Sequence, residues 1–121
     1  MNNLLKEYKL FHAFDSHLIA RYGDDLINAK SEQLEVVYCI DVINAIKKYR
    51  TDEITTQVLV DWVNTLWFCD GLYKYSNDQS DSIASVMTEL ETLDEEGVFY
   101  SNEEYDKMIF ALENNIEYVK R

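Results

Sequence analysis

Two histidines, two cysteines and a large excess of carboxylates are the residues in this 121-residue chain with the chemistry to build a site. His12 and His17 stand five apart on one predicted helix, a spacing that does not bring two imidazoles onto one face. Neither has a glutamate three residues before it, as helical di-metal carboxylate sites require, and HExxH is absent. Cys39 and Cys69 lie thirty residues apart inside apolar periodic stretches, without a CxxC pairing. They read as buried thiols, with a disulfide as the less favoured alternative. A Cys-His nucleophile pair would need a tertiary contact that spacing does not supply. The stretch DGLYKYSNDQSD, from Asp70 to Asp81, has the carboxylate density of a calcium loop. Leu72 and Tyr75, however, occupy the places of its second ligand and its turn glycine. GxSxG, the phosphate-binding P-loop and GxGxxG are all missing. No catalytic group, no metal and no cofactor is therefore expected.

What remains is a surface chemistry of acids and tyrosines. Glu89, Glu91, Asp94, Glu95 and Glu96 crowd a helix end and a glycine turn. Acids at a helix C-terminus work against the helix dipole, a local conflict that a partner surface would explain and a solvated turn would tolerate. Asp70 and Asp78 flank Tyr73 and Tyr75 in a neighbouring loop. Tyrosine beside carboxylate suits an Arg/Lys-rich protein surface, while the bland alternative is rings that cover a bundle edge. These nine residues form the candidate partner-binding set.

The overall charge agrees with that choice. The formal net charge is −12, with an isoelectric point near 4.4. Residues 1–60 carry nine acids and seven bases, whereas residues 61–121 carry fourteen acids and four bases. Such a balance repels nucleic-acid phosphates and anionic membranes and speeds encounter with a basic protein. It also simply keeps a protein soluble. No run of ~18 apolar residues suggests a membrane span. The stretch MNNLLKEYKLF carries no visible secretory signal. Unpaired thiols and no signal point to the cytoplasm.

The elements that must position these residues are helices. Proline is absent and the three glycines, Gly23, Gly71 and Gly97, fall between periodic segments. The length suits one domain, residues 1–121, with a core that needs no metal or disulfide. A first helix is predicted from about Asn3 to Ala20, on the stripe Leu4, Leu5, Tyr8, Phe11, Phe14, Leu18 and Ile19. A second is predicted from Ser31 or Glu32 to Tyr49, with Ser31 as N-cap. The β-branched run in its first half lacks the alternation of a strand. A third follows a Thr55 or Thr56 cap and carries Trp62 into the core. Residues 71–80 read as a loop, followed by a helix from about Asp78 to Leu93. Val98, Phe99 and Tyr100 are expected to anchor the next turn on the core. The last helix has a capping box, Ser101 with Glu104, and a Tyr100–Tyr105 hydrophobic staple. Its stripe runs from Tyr105 through Met108, Ile109 and Leu112 toward Ile116 and Val119. The expected fold is all-α, a single-domain antiparallel bundle of about five helices.

Within this layout, Ile46-Lys47-Lys48-Tyr49-Arg50-Thr51-Asp52-Glu53-Ile54-Thr55 leads into Asp61-Trp62-Val63-Asn64. A lysine-rich helix end, a Y(R/L)xxxIT stretch, a DW(A/V)N helix and an acidic helix downstream then follow one another. Over about residues 46–112 this resembles the immunity proteins of the colicin D type. The resemblance implies an acidic helical antitoxin in the cytoplasm of a bacterium. Such a protein covers the basic active site of a tRNA-cleaving toxin with carboxylates that stand in for phosphates. The carboxylates here would be Glu89, Glu91, Asp94, Glu95 and Glu96, with Asp70 and Asp78 behind them. Residues 1–45 lie outside the resemblance, and no family contact residue maps onto a single position.

Three functions follow as expectations. The first is a non-catalytic immunity protein that neutralises a basic toxin of the nuclease type. The second is a helical structural or regulatory module, a homodimer or a subunit of a complex. The third is a small enzyme or metal-binding protein.

Overall fold

The computed structural model describes residues 4–119. Six helices and one short parallel strand pair form a single helical bundle. The helices are α1 Leu4–Lys9, α2 Asp15–Tyr22, α3 Cys39–Arg50, α4 Thr56–Phe68, α5 Ser80–Leu90 and α6 Asn102–Glu113. The strands are β1 Glu35–Val37 and β2 Tyr73–Tyr75, and a single 3-10 turn covers Leu26–Asn28. α3 packs most extensively on α6, and α5 lies against both α4 and α6. The core runs between them through Val42, Ile46, Leu59, Trp62, Met87 and Met108, all 1% exposed or less.

The predicted first helix is in fact two, and its expected start at Asn3 lies outside the described residues. The chain leaves α1 in a Schellman turn: Phe11 N–H donates to the Tyr8 carbonyl (3.0 Å) and His12 N–H to the Glu7 carbonyl (2.7 Å). Phe11 takes the left-handed position of that turn, at φ 65°. Glycine is the usual residue there, and phenylalanine in that conformation costs about 1–2 kcal/mol. The ring repays part of that by stacking on Trp62, with centroids 5.1 Å apart and planes 23° apart. α2 then starts afresh at Phe14, whose N–H donates to His17 Nδ1 (3.0 Å).

The predicted second helix is also corrected. Its first half is β1, paired in parallel with β2 in the register Glu35 with Tyr73, Val36 with Lys74 and Val37 with Tyr75. Val36 and Val37 suit a strand sterically, and a strand three residues long cannot display the alternation that the sequence lacked. Ser31 caps no helix; its N–H donates to the Gly71 carbonyl (2.8 Å). Gly71 is irreplaceable there, because a Cβ would sit 2.0 Å from the Ala29 carbonyl oxygen. The loop expected over residues 71–80 therefore contains a strand, and α5 starts at Ser80 rather than Asp78 and ends at Leu90 rather than Leu93.

The two caps legible in the sequence are present. Thr55 Oγ1 accepts from Val58 N–H (3.2 Å). Ser101 Oγ accepts from Glu104 N–H (3.2 Å), while Glu104 Oε1 accepts from Ser101 N–H (3.1 Å). Tyr100 and Tyr105 meet edge to face at 6.0 Å as the staple. α6 stops at Glu113, so Ile116 and Val119 do not extend its stripe and are exposed.

The unexpected feature of the core is an ammonium group. Lys9 Nζ lies 2.7 Å from Glu35 Oε2 and 3.1 Å from Asp41 Oδ2, and donates to the Val36 carbonyl at 2.9 Å. Lys9 and Asp41 are both buried. Asp41 also accepts from Tyr38 N–H (2.9 Å), so one carboxylate both starts α3 and holds α1. Two more bonds fasten α1 by its backbone. Trp62 Nε1–H donates to the Lys9 carbonyl (3.0 Å) and the Tyr73 hydroxyl donates to the Leu5 carbonyl (2.6 Å).

Lys9→Met would leave Glu35 and Asp41 facing each other without their cation. A loss of about 3–5 kcal/mol is expected, the scale of a broken buried ion pair, read from the denaturant midpoint. A pH prediction comes from the same group. Burial alone would lower the Lys9 pKa, but the Glu35 and Asp41 carboxylates outweigh it and hold it above the ordinary value. Burial likewise raises the phenols of Tyr8 and Tyr73. For each group the folded chain keeps a proton that the unfolded chain releases first. Stability is therefore whole below about pH 10 and falls as pH climbs further, which urea midpoints taken on either side of that value would record.

Candidate functional site

The acidic connection between α5 and α6 is where charge and exposed ring meet. α5 ends with Leu90 buried, and Thr92 and Leu93 turn the chain. Asp94, Glu95 and Glu96 then stand exposed, and Gly97, at φ 83°, lets Val98 N–H return to the Glu95 carbonyl (3.2 Å). Tyr100 ties the far end down. It is 3% exposed and its hydroxyl donates to Glu89 Oε2 at 2.7 Å. Burial pushes this phenol up to about 12; the Thr92 hydroxyl lowers it and the Glu89 carboxylate raises it.

Phe99 does not anchor the turn as expected. It is 84% exposed, the most exposed large apolar side chain among the described residues, while Tyr100 takes the inward place. The staple position explains the difference. Only the residue directly before the Ser101 cap meets the first turn of α6, so its predecessor points the other way. Beside Phe99 lies a groove of about 290 Å³ lined by Tyr49, Leu93, Val98, Tyr100 and Tyr105. Arg50 closes one wall, ion-paired to Asp106 at 2.8 Å with its guanidinium 5.9 Å from the Tyr105 ring centre.

The nine predicted site residues do not form one surface. Asp94, Glu95 and Glu96 share the exposed turn. Glu89 is engaged by Tyr100. Glu91 and Asp70 both act on the Tyr75 phenol, which burial chiefly, and then these two carboxylates, push above its usual value. Asp78 is exposed at the other end of α5, where its carbonyl accepts from Asn115 Nδ2 (2.8 Å). Tyr73 is a correction: at 2% exposure it belongs to the core and has no surface to offer. Tyr75 is half-buried with its ring edge-on to Trp67 at 6.1 Å, and its buried hydroxyl has no hydrogen-bond partner.

Reading the sequence missed Lys9, although a signal was there. Lys9 falls four residues after Leu5, on the apolar face of its helix. His12 and His17 are both exposed, the second occupied at the α2 cap. Cys39 and Cys69 are buried and free, and burial raises both thiols above their ordinary pKa. Among the described residues no group of three or more His, Cys, Asp or Glu is arranged to hold a metal ion. No helix among them is long and apolar enough to cross a membrane. Compared with known proteins, the chain matches no family model, no curated protein and no solved structure.

The two β2 tyrosines should respond in opposite ways to loss of the hydroxyl. Tyr75→Phe removes a buried unpaired group and is expected to leave stability unchanged or raise it by up to about 1 kcal/mol. Tyr73→Phe removes the buried bond to the Leu5 carbonyl and should cost about 1–2 kcal/mol. Paired denaturation curves test both.

Proposed function

We propose that this chain is a non-catalytic helical interaction module, which acts by docking on another protein through the α5–α6 turn. One observation carries the reading. Phe99 stands almost fully in solvent beside three exposed carboxylates, on a turn held in shape by Tyr100 and the Ser101 cap. An exposed ring on a fixed support loses little conformational freedom on binding, and aromatic residues of this kind are typical energetic centres of interfaces. The groove beside it offers aromatic walls for an aliphatic or cationic side chain of the partner.

The charge favours a specific partner. The turn belongs to the half of the chain with fourteen acids and four bases, so a basic protein surface would be drawn to it. Together with the resemblance over residues 46–112, this supports an immunity protein that covers a basic nuclease-type toxin. The function would be exercised in a reducing cytoplasm, where free Cys39 and Cys69 are at home. Self-association through Phe99 is the competing form of the same module.

The decisive variants are Phe99→Ala and the triple reversal Asp94→Lys, Glu95→Lys, Glu96→Lys. Exposed changes of this kind should shift folding stability by no more than about 0.5 kcal/mol per site. A single stoichiometric basic protein should co-purify with the unaltered chain at low salt, and each variant should lose it. Sedimentation of the purified chain separates the dimer from the heterologous complex. A monomer that retains the same partner after both substitutions would place the interface elsewhere and end this reading.

A further inference from the structure

A second concave site lies on another part of the molecule and shares no lining residue with the Phe99 groove. The break between α1 and α2 folds over α4 and leaves a cleft of about 220 Å³. Its walls are the rings of Tyr8, Phe11, Phe14 and Trp62, and two carboxylates, Asp15 and Asp61, enter among them. Phe11 and Trp62 are stacked, so one wall is a fixed aromatic platform. Phe14 stands at the rim, 67% exposed, with its ring stacked on His17 at 5.9 Å between centroids.

The charge in this cleft is unmatched. Asp61 accepts one hydrogen bond, from Gln57 Nε2 at 2.7 Å, which is a neutral donor. Asp15 Oδ1 is buried and accepts none, and the polar group set against this carboxylate is the neutral Tyr8 phenol, which burial, and then Asp15, push above its ordinary pKa. Neither carboxylate forms an ion pair among the described residues. A buried carboxylate oxygen with no donor is a costly arrangement unless something completes it.

The chemistry of the walls selects what that would be. An anion would be repelled by both acids. A neutral apolar ligand would cover the rings and leave Asp15 Oδ1 unpaired. A nucleotide is too large, since sites for ligands of that size run from about 300 Å³ upward. An organic cation satisfies both halves at once, with its charge on the carboxylates and its body on the ring faces. A guanidinium does so best, because it is flat enough to stack and presents several N–H donors in a fixed fork.

We infer that the cleft between the α1–α2 connection and α4 is a binding site for a guanidinium-type organic cation. The rings of Phe11 and Phe14 form its faces, with the buried Trp62 backing Phe11, and Asp15 and Asp61 receive its N–H groups. The left-handed backbone at Phe11 then has a use, since it sets that ring against Trp62 at one wall of the cleft. The cation could arrive as an arginine side chain on a polypeptide or as a free small molecule, and the chemistry of recognition is the same for both.

The test is an NMR titration of the whole chain with methylguanidinium, with N-acetyl-arginine amide, and with a short glycine peptide carrying one arginine. Each should shift the Trp62 indole N–H signal saturably and leave that of Trp67 in place. N-acetyl-citrulline amide, the neutral isostere, should bind roughly tenfold more weakly or worse, the scale of a lost charge-assisted hydrogen bond. Asp15→Asn and Asp61→Asn should weaken the cation by a similar factor. Phe14→Ala keeps the backbone donor of the α2 cap and removes an exposed ring stacked on His17, so it should weaken the cation while moving folding stability by no more than about 0.5 kcal/mol. Tighter binding of the peptide than of methylguanidinium assigns the cation to a polypeptide, and the reverse order assigns it to a free small molecule. Either order supports the site. Citrulline binding as well as arginine, or binding indifferent to all three substitutions, would overturn it. So would shifts no larger than sodium chloride produces at equal ionic strength. The probes are free cations, so failure here would leave the Phe99 turn untouched, and failure of that turn would leave this site standing.

Discussion

A buried ammonium group organises the first half of the molecule. Lys9 is buried against β1 and the start of α3, with its Nζ 5.6 Å from the Tyr38 ring centre, and burial of a lone cation on that scale would be prohibitive. It is tolerated because Glu35, Asp41 and the Val36 carbonyl take up its three donors. The consequence is geometric. A strand, a helix start and the first helix must converge on one point, or each carries an unpaired charge into the core. The Trp62 and Tyr73 bonds to α1 carbonyls then fix how that helix lies, and β2 follows because Tyr73 is carried on it.

Both candidate sites inherit their shape from this arrangement or from its counterpart at the other end. With α1 pinned, the chain must turn sharply after Lys9, and Phe11 absorbs the turn in a backbone conformation foreign to it. That places its ring on Trp62 and creates the cleft. At the opposite end Tyr100 plays the pinning role by a hydrogen bond to the Glu89 carboxylate and by ring contacts, and Phe99 faces outward beside it. In each case a residue held inward fixes the direction of an aromatic neighbour. Among the described residues the buried cation is Lys9, while Asp94, Glu95 and Glu96 stand exposed on the α5–α6 turn. A surface of unpaired carboxylates and fixed rings is the material from which recognition of cationic groups is built.

The sequence reading succeeded where a feature is completed within one turn of backbone. The Ser101 and Thr55 caps, the Tyr100–Tyr105 staple and the inward Trp62 depend on residues three to five apart or on a strong helical stripe. It failed at the break after Lys9, because the usual marker, glycine, is absent and phenylalanine stands there instead. It failed again at β1 and β2. Strands of three residues show too little pattern to be told from helix or loop, and their partners lie on the far side of two helices. The binding set shared this fate. The Asp94–Glu96 turn could be read locally, whereas the inward rotation of Tyr73 comes from the strand register and from a carbonyl 68 residues away.

The sequence by itself determined a helical domain, with the start of α4 and α6, thiols in apolar surroundings and an acid excess in the second half. These follow from composition, periodicity and bonds between near neighbours. Only the tertiary structure decided that Lys9 is a core residue, that Phe99 faces solvent and that Asp15 and Asp61 meet among four rings. Each of those outcomes depends on groups brought together from 26 to 68 residues apart, or on which of two adjacent rings a neighbouring helix admits. Pairing energy at such separations depends on where every element packs, and no local pattern records it.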